Sequence, residues 1–219
     1  MTTATRIDWK IPLALLVISA IPIAAGIARL VGLASNTEFN GDSARFFAAP
    51  VPVILHIISA SIFSVLGALQ FSTGLRHRSS QFHKVSGRIV VPSGVIAALS
   101  GLWMTTMYPI PPELQGGLLY GVRLLVSAAM VISIILSVIA VMRRDIAKHR
   151  AWMIRAYALG QGAGMQVVIF LPWMLLIGTA SVLQRDVLMS LAWLVNLSIA
   201  EWIINKQPQR NFLFYRIGL

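Results

Sequence analysis

Residues 117–150 read GLLYGVRLLVSAAMVISIILSVIAVMRRDIAKHR, and this stretch decides the fold. Its first part, 117–142, carries a single charge, Arg123, and then the chain breaks into Arg143, Arg144, Asp145, Lys148, His149 and Arg150. A run of ~20 apolar residues rising ~1.5 Å each crosses ~30 Å of hydrocarbon. A charged cluster at its end is the mark of a segment leaving the bilayer. Working outward, the same alternation recurs at 11–33, 51–75, 88–108, 155–178 and 187–205.

The composition agrees. Hydrophobic residues make up 57% of the 219 and charged residues 11%, and the mean hydropathy is +0.78. A soluble domain carries about 25% charged residues, so this chain cannot coat a water-facing surface. Lipid leaves backbone N–H and C=O groups unsatisfied, which selects helices, and no period-two alternation suggests a barrel. The expected fold is all-α: a polytopic bundle of about six transmembrane helices forming one domain over 1–219, with 206–219 as a cytoplasmic or interfacial tail. Pro22, Pro92 and Pro172 fall inside spans and are read as tolerated kinks. The uncharged run from Ile11 to Ala28 exceeds a signal-peptide core of ~7–15 residues, so the first helix is expected to stay.

Orientation follows from the basic residues. With the N-terminus inside, fourteen of the 18 Lys and Arg lie on the cytoplasmic side and four, Arg29, Arg45, Arg123 and Arg185, on the other. The positive-inside rule then predicts both termini in the cytoplasm of a cell (inner or plasma) membrane protein. The formal charge of +11 is spread in short clusters between spans, which points to anionic lipid headgroups and away from nucleic acid. The absence of cysteine removes disulfides, iron–sulfur clusters and covalently attached haem.

Four histidines are the candidate chemistry: His56, His77, His83 and His149. His83 and His149 open the third and fifth spans on the same side, an arrangement that suits the two axial ligands of a b-type haem. Gly87, one turn after His83, would leave room for a porphyrin face, and Arg88, Arg150 and Arg155 would neutralise propionates or bind a partner. The competing reading has each imidazole resting at the membrane interface. His77 as a third ligand to a single metal is weaker, with only Asp145 as a nearby acid.

His56 lies toward the other face, where Arg29, Arg45 and Arg123 form an outer-facing site for an anionic or quinone-like molecule, or else snorkel to lipid phosphates. Glu201 lies deep in the last span and needs a partner, with Arg155, Arg88 and His149 as candidates. A structural ion pair and a proton relay are its two readings. Gly160, Gly162 and Gly164 give small-residue spacing that serves either close helix packing or a smooth face for haem or quinone.

The runs Leu55-His56, Gln70-Phe71, His83-Lys84-Val85-Ser86-Gly87-Arg88 and 145–159, which reads DIAKHRAWMIRAYAL, resemble a family of uncharacterised prokaryotic predicted membrane proteins over about Leu55 to Ala180. A second similarity, to the six-helix di-haem, ascorbate-reducible cytochrome b proteins, rests on His83 followed by Gly87. It implies one haem b between His83 and His149. His149 is followed by Met153 where that pattern has glycine, and no fourth-span histidine exists to pair with His56. The function expected is electron transfer through haem b with a quinone or redox-protein partner. The alternative is a cofactor-free transporter or an accessory or structural subunit of a larger membrane complex, and no enzymatic reaction is assigned.

Overall fold

The computed structural model describes residues 9–37 and 43–206; most of the 206–219 tail lies outside them. The described residues are helical, in the order α1 (Lys10–Ala34), α2 (Ala44–Ala48), α3 (Pro50–Gln70), α4 (Thr73–Arg78), α5 (Ser80–Met107), α6 (Gly117–Met142), α7 (Ile146–Gly160), α8 (Gly162–Leu176) and α9 (Val182–Lys206). Five helices, α1, α3, α5, α6 and α9, are each long and apolar enough to cross a membrane, and there are six such spans if the bent pair α7–α8 counts as one. The chain is therefore a polytopic all-α membrane protein.

Each helix starts where a cap allows, and this moves several boundaries from those expected. Ser79 accepts from the N–H of Phe82 at 3.2 Å, so α5 begins eight residues before the low-charge run at 88. Asp145 accepts from the N–H of Lys148 at 3.0 Å and starts α7 nine residues before 155. Capping side chains satisfy the orphan N–H groups of a first turn, so helices run on into the basic clusters that charge alone marks as connections. The span expected over 51–75 ends at Gln70, with α4 as a separate turn beyond it.

The main departure is in the fifth span. The region 155–178 is two helices that meet at Gln161 with a bend of 43°. α7 packs against α3, α5, α6 and α9, whereas α8 packs against α1 and α9. One half of the span is thus central and the other peripheral. The core gathers around the central half, where Phe63, Val90, Ile134, Ala156 and Tyr157 are buried. Phe63 occupies a notch that Gly94 and Gly160 leave open, and the Tyr157 ring fills the notch at Gly67. The outward faces stay apolar, with Leu13, Val17, Leu125 and Leu194 exposed as lipid-facing residues must be.

Candidate functional site: a cavity beside the broken helix

Where α8 leaves the bundle axis, a cavity of about 550 Å³ opens among α1, α3, α5, α6, α8 and α9. That volume lies within the ~300–1,000 Å³ common to small-molecule sites. The bend exposes backbone carbonyls that a straight helix would bond internally. Two of them are met from α9: Trp193 Nε1 donates to Leu159 O at 3.1 Å and Asn196 Nδ2 to Ala158 O at 3.0 Å. Side chains from neighbouring helices are the usual way a broken membrane helix is made affordable. The three glycines admit close neighbours: Phe63 of α3 and Met130 of α6 at Gly160, the Trp193 indole of α9 at Gly162 and Ile18 of α1 at Gly164. They serve packing against four helices.

The floor of the cavity is a hydrogen-bonded chain. Ser19 donates to Gln161 Oε1 at 3.0 Å, Gln161 Nε2 donates to the Tyr157 hydroxyl at 2.6 Å, and Tyr157 donates to Ser64 O at 2.8 Å. It ties α1, the break and α3 together at the buried end of the cavity. Above it, His56 lines the wall. Its Nδ1 lies 2.9 Å from Ala97 O and 3.3 Å from Ser100 Oγ. A carbonyl only accepts, so Nδ1 carries the proton and Nε2 keeps a lone pair. Gly101 faces the ring, with His56 Cε1 3.3 Å from where a side chain would begin, so the Nδ1–Cε1 edge of the imidazole packs against α5.

Three arginines, Arg45, Arg123 and Arg185, line the same cavity. They come from three separate elements, α2, α6 and α9. Arg29 joins the group through Phe46, over whose ring both Arg29 and Arg45 lie, at 4.7 and 4.8 Å. Arg123 bonds Gln115 Oε1, and Arg185 lies 5.1 Å from the Phe170 ring. Asp186 is close to Arg123 but buried, with both oxygens engaged: Gly116 N–H reaches Oδ1 at 3.1 Å and Leu119 N–H reaches Oδ2 at 3.0 Å. It caps α6 from a different helix, where the dipole favours a negative charge. Among the described residues, neither Arg123 nor Arg185 forms an ion pair.

The remaining candidates lie toward the end of the bundle that bears the basic connections. His149 sits in the first turn of α7, its Nδ1 2.8 Å from Ser137 Oγ and 3.1 Å from Ser137 O. That pairing fixes the ring and leaves Nε2 as the free nitrogen. His83 is half-buried in the first turn of α5, and its carbonyl accepts from Gln70 at 3.3 Å. Open space surrounds the missing side chain of Gly87. Arg88 is exposed on α5. Arg155 holds Glu201 in a two-pronged ion pair, Nε–Oε1 at 2.5 Å and Nη2–Oε2 at 2.9 Å, and lies 4.6 Å from the Trp152 ring. Among the described residues no group of three or more His, Cys, Asp and Glu gathers to hold a metal ion, and the side chain of His77 lies outside them.

A family model described as a predicted membrane protein matches residues 53–204. The chain belongs to the DUF2306 family. The DUF2306 match takes in His56, Arg123, Arg185, the break at Gln161 and both His83 and His149, while the α1 wall of the cavity precedes it. No curated protein and no solved structure gives a match, and the cytochrome b similarity gains no support from these comparisons.

The sequence places His56, Arg29, Arg45, Arg123 and Arg185 toward one side of the membrane, but the outer-facing site read from it omits Arg185 and passes over Ser19, Tyr157, Gln161 and Asp186. One signal was available: Arg185-Asp186 is a charged pair beside an apolar span, and an acid there needs a partner.

Proposed function

We propose that this chain is a ligand-binding membrane protein whose site is the cavity beside the α7–α8 break, receiving a small anionic or quinone-like molecule. The positive-inside rule assigns the four-arginine end to the outer face, which makes the cavity an outer-side site. The supporting observation is convergence. The four arginines that depart from the basic-connection end, and the one histidine on their side, meet at one cavity or its rim although they come from distant parts of the chain. A guanidinium is suited to an acceptor oxygen, whether of a carboxylate, a phosphate or a quinone carbonyl.

The test is saturable binding. Purified protein in nonionic detergent is titrated with a decylbenzoquinone and separately with tetradecanoate, reading tryptophan fluorescence, since Trp193 lines the cavity. One-to-one binding that weakens by roughly tenfold or more in Ala60→Phe or Ser127→Leu is expected, because both side chains would fill the cavity. Binding of neither probe to the wild type, or equal binding to both filled variants, contradicts the reading.

A second reading keeps the haem. His149 Nδ1 donates to Ser137 O, and an imidazole whose other nitrogen is tied to a carbonyl is oriented as a metal ligand is. His83 and His149 would be the residues that hold the group, and Arg88 and Arg155 would supply cations to neutralise its carboxylates. A b-type haem there would supply one-electron chemistry for exchange with a quinone or redox protein. A reduced-minus-oxidised spectrum of haem-supplemented protein, lost in His83→Ala and in His149→Ala, supports this reading; colourless protein excludes it.

A further inference from the structure

We infer that the cavity selects an amphiphilic anion, with a carboxylate or phosphate head on Arg123 and Arg185 and an apolar body reaching toward Phe63. This rests on the cavity being the binding site.

The charge argument comes first. Arg123 and Arg185 share a cavity in a span-bearing bundle, where cations are costly without a counter-charge. Among the described residues the acid that acts on Arg123 is Asp186, and it has both oxygens given to the N–H groups of Gly116 and Leu119. Its single negative charge caps α6 and acts on Arg123 without an ion-pair contact, and among the described residues the guanidinium of Arg185 rests on a phenyl ring and forms no ion pair, so one acid stands against two cations. An incoming anion would meet two planar donor forks from different helices, a geometry suited to a two- or three-oxygen head.

The depth argument decides the rest of the molecule. Toward the floor, Ser19, Gln161, Tyr157 and Ser64 are bonded to one another. They have little to offer a polar tail. Ile23, Ile57, Phe63 and Met130 supply the other surfaces, and these favour hydrocarbon. A charged head at one end and an apolar body at the other match a fatty-acid-like carboxylate or an anionic lipid. Free inorganic phosphate would leave the apolar part of a 550 Å³ cavity unfilled.

The experiment compares tetradecanoate, its methyl ester and inorganic phosphate on wild type, Arg123→Gln/Arg185→Gln, Arg123→Lys/Arg185→Lys and Ala60→Phe. Thermal melts confirm that each variant is folded. The acid should bind at least about tenfold tighter than the ester in wild type, a preference that falls to within about threefold in the Gln pair and to an intermediate value in the Lys pair. Acid and ester binding equally, with both excluded by Ala60→Phe, overturns the anion inference while the cavity reading stands. Both probes binding unchanged to Ala60→Phe removes the cavity reading itself. Inorganic phosphate binding as tightly as tetradecanoate overturns the amphiphile. Repeating the titration in nanodiscs separates the sources: competition by phosphatidylglycerol, absent with phosphatidylcholine, supports the inference with a bilayer lipid as ligand. Tetradecanoate binding without that competition supports it with a free acid.

Discussion

Tyr157 carries more of the structure than any other polar residue in the core. Its ring fills the space left at Gly67, packs 5.6 Å from Phe63 and 5.0 Å from Phe71, and its hydroxyl joins Gln161 to Ser64 O. Removing the hydroxyl in Tyr157→Phe keeps the packing but strands a Gln161 donor in a dry site. A loss of about 1–2 kcal/mol is expected, read as a lower melting temperature in detergent. Tyr157→Phe/Gln161→Leu should recover part of it, because replacing both partners leaves fewer stranded groups. The Arg155–Glu201 pair behaves differently, since each partner alone is a charge within a span. Arg155→Leu should cost about 1.5–3 kcal/mol, and Arg155→Leu/Glu201→Leu should be the more stable of the two variants. Equal melting temperatures for the single and double variants would show that lipid or water satisfies the lone carboxylate.

At the scale of elements, the break between α7 and α8 does the most to set the architecture. It moves α8 to the periphery, and the space it vacates becomes the cavity. Gly162 is the hinge of this arrangement, because any side chain there would occupy the place of the Trp193 indole. Gly162→Val should therefore destabilise the protein and weaken tetradecanoate binding together, while Trp193→Phe, which loses the bond to Leu159 O and part of the packing at Gly162, should cost about 1–3 kcal/mol. Unchanged binding and melting in Gly162→Val would show that the bend is held by something else. The spans were legible because ~20 apolar residues in a row have few alternatives. The break was not: Gly160, Gly162 and Gly164 fit a straight packed helix as well as a bent one, and only the α9 side chains that capture the freed carbonyls distinguish the two. Helix starts were misplaced for a related reason, since Ser79 and Asp145 cap helices inside clusters that charge marks as loops.

For the whole molecule, the charge pattern and the cavity describe the same asymmetry. Basic residues collect at the end where α5 and α7 begin, and the four exceptions collect around the site. The four were visible in the sequence as departures from a rule, but their convergence belongs to tertiary structure. Arg45, Arg123 and Arg185 are separated by more than fifty residues each and meet only because α2, α6 and α9 start at the same end. This end is proposed to carry a ligand cavity open to the outside. The chain contains no cysteine, so one introduced thiol reports without background. Ser127→Cys lines the cavity and Glu113→Cys marks the adjoining loop as a control. In intact cells a membrane-impermeant maleimide should label both, and tetradecanoate should protect only Ser127→Cys. Labelling of Glu113→Cys only after permeabilisation, or labelling of Ser127→Cys that tetradecanoate leaves unchanged, would contradict the account.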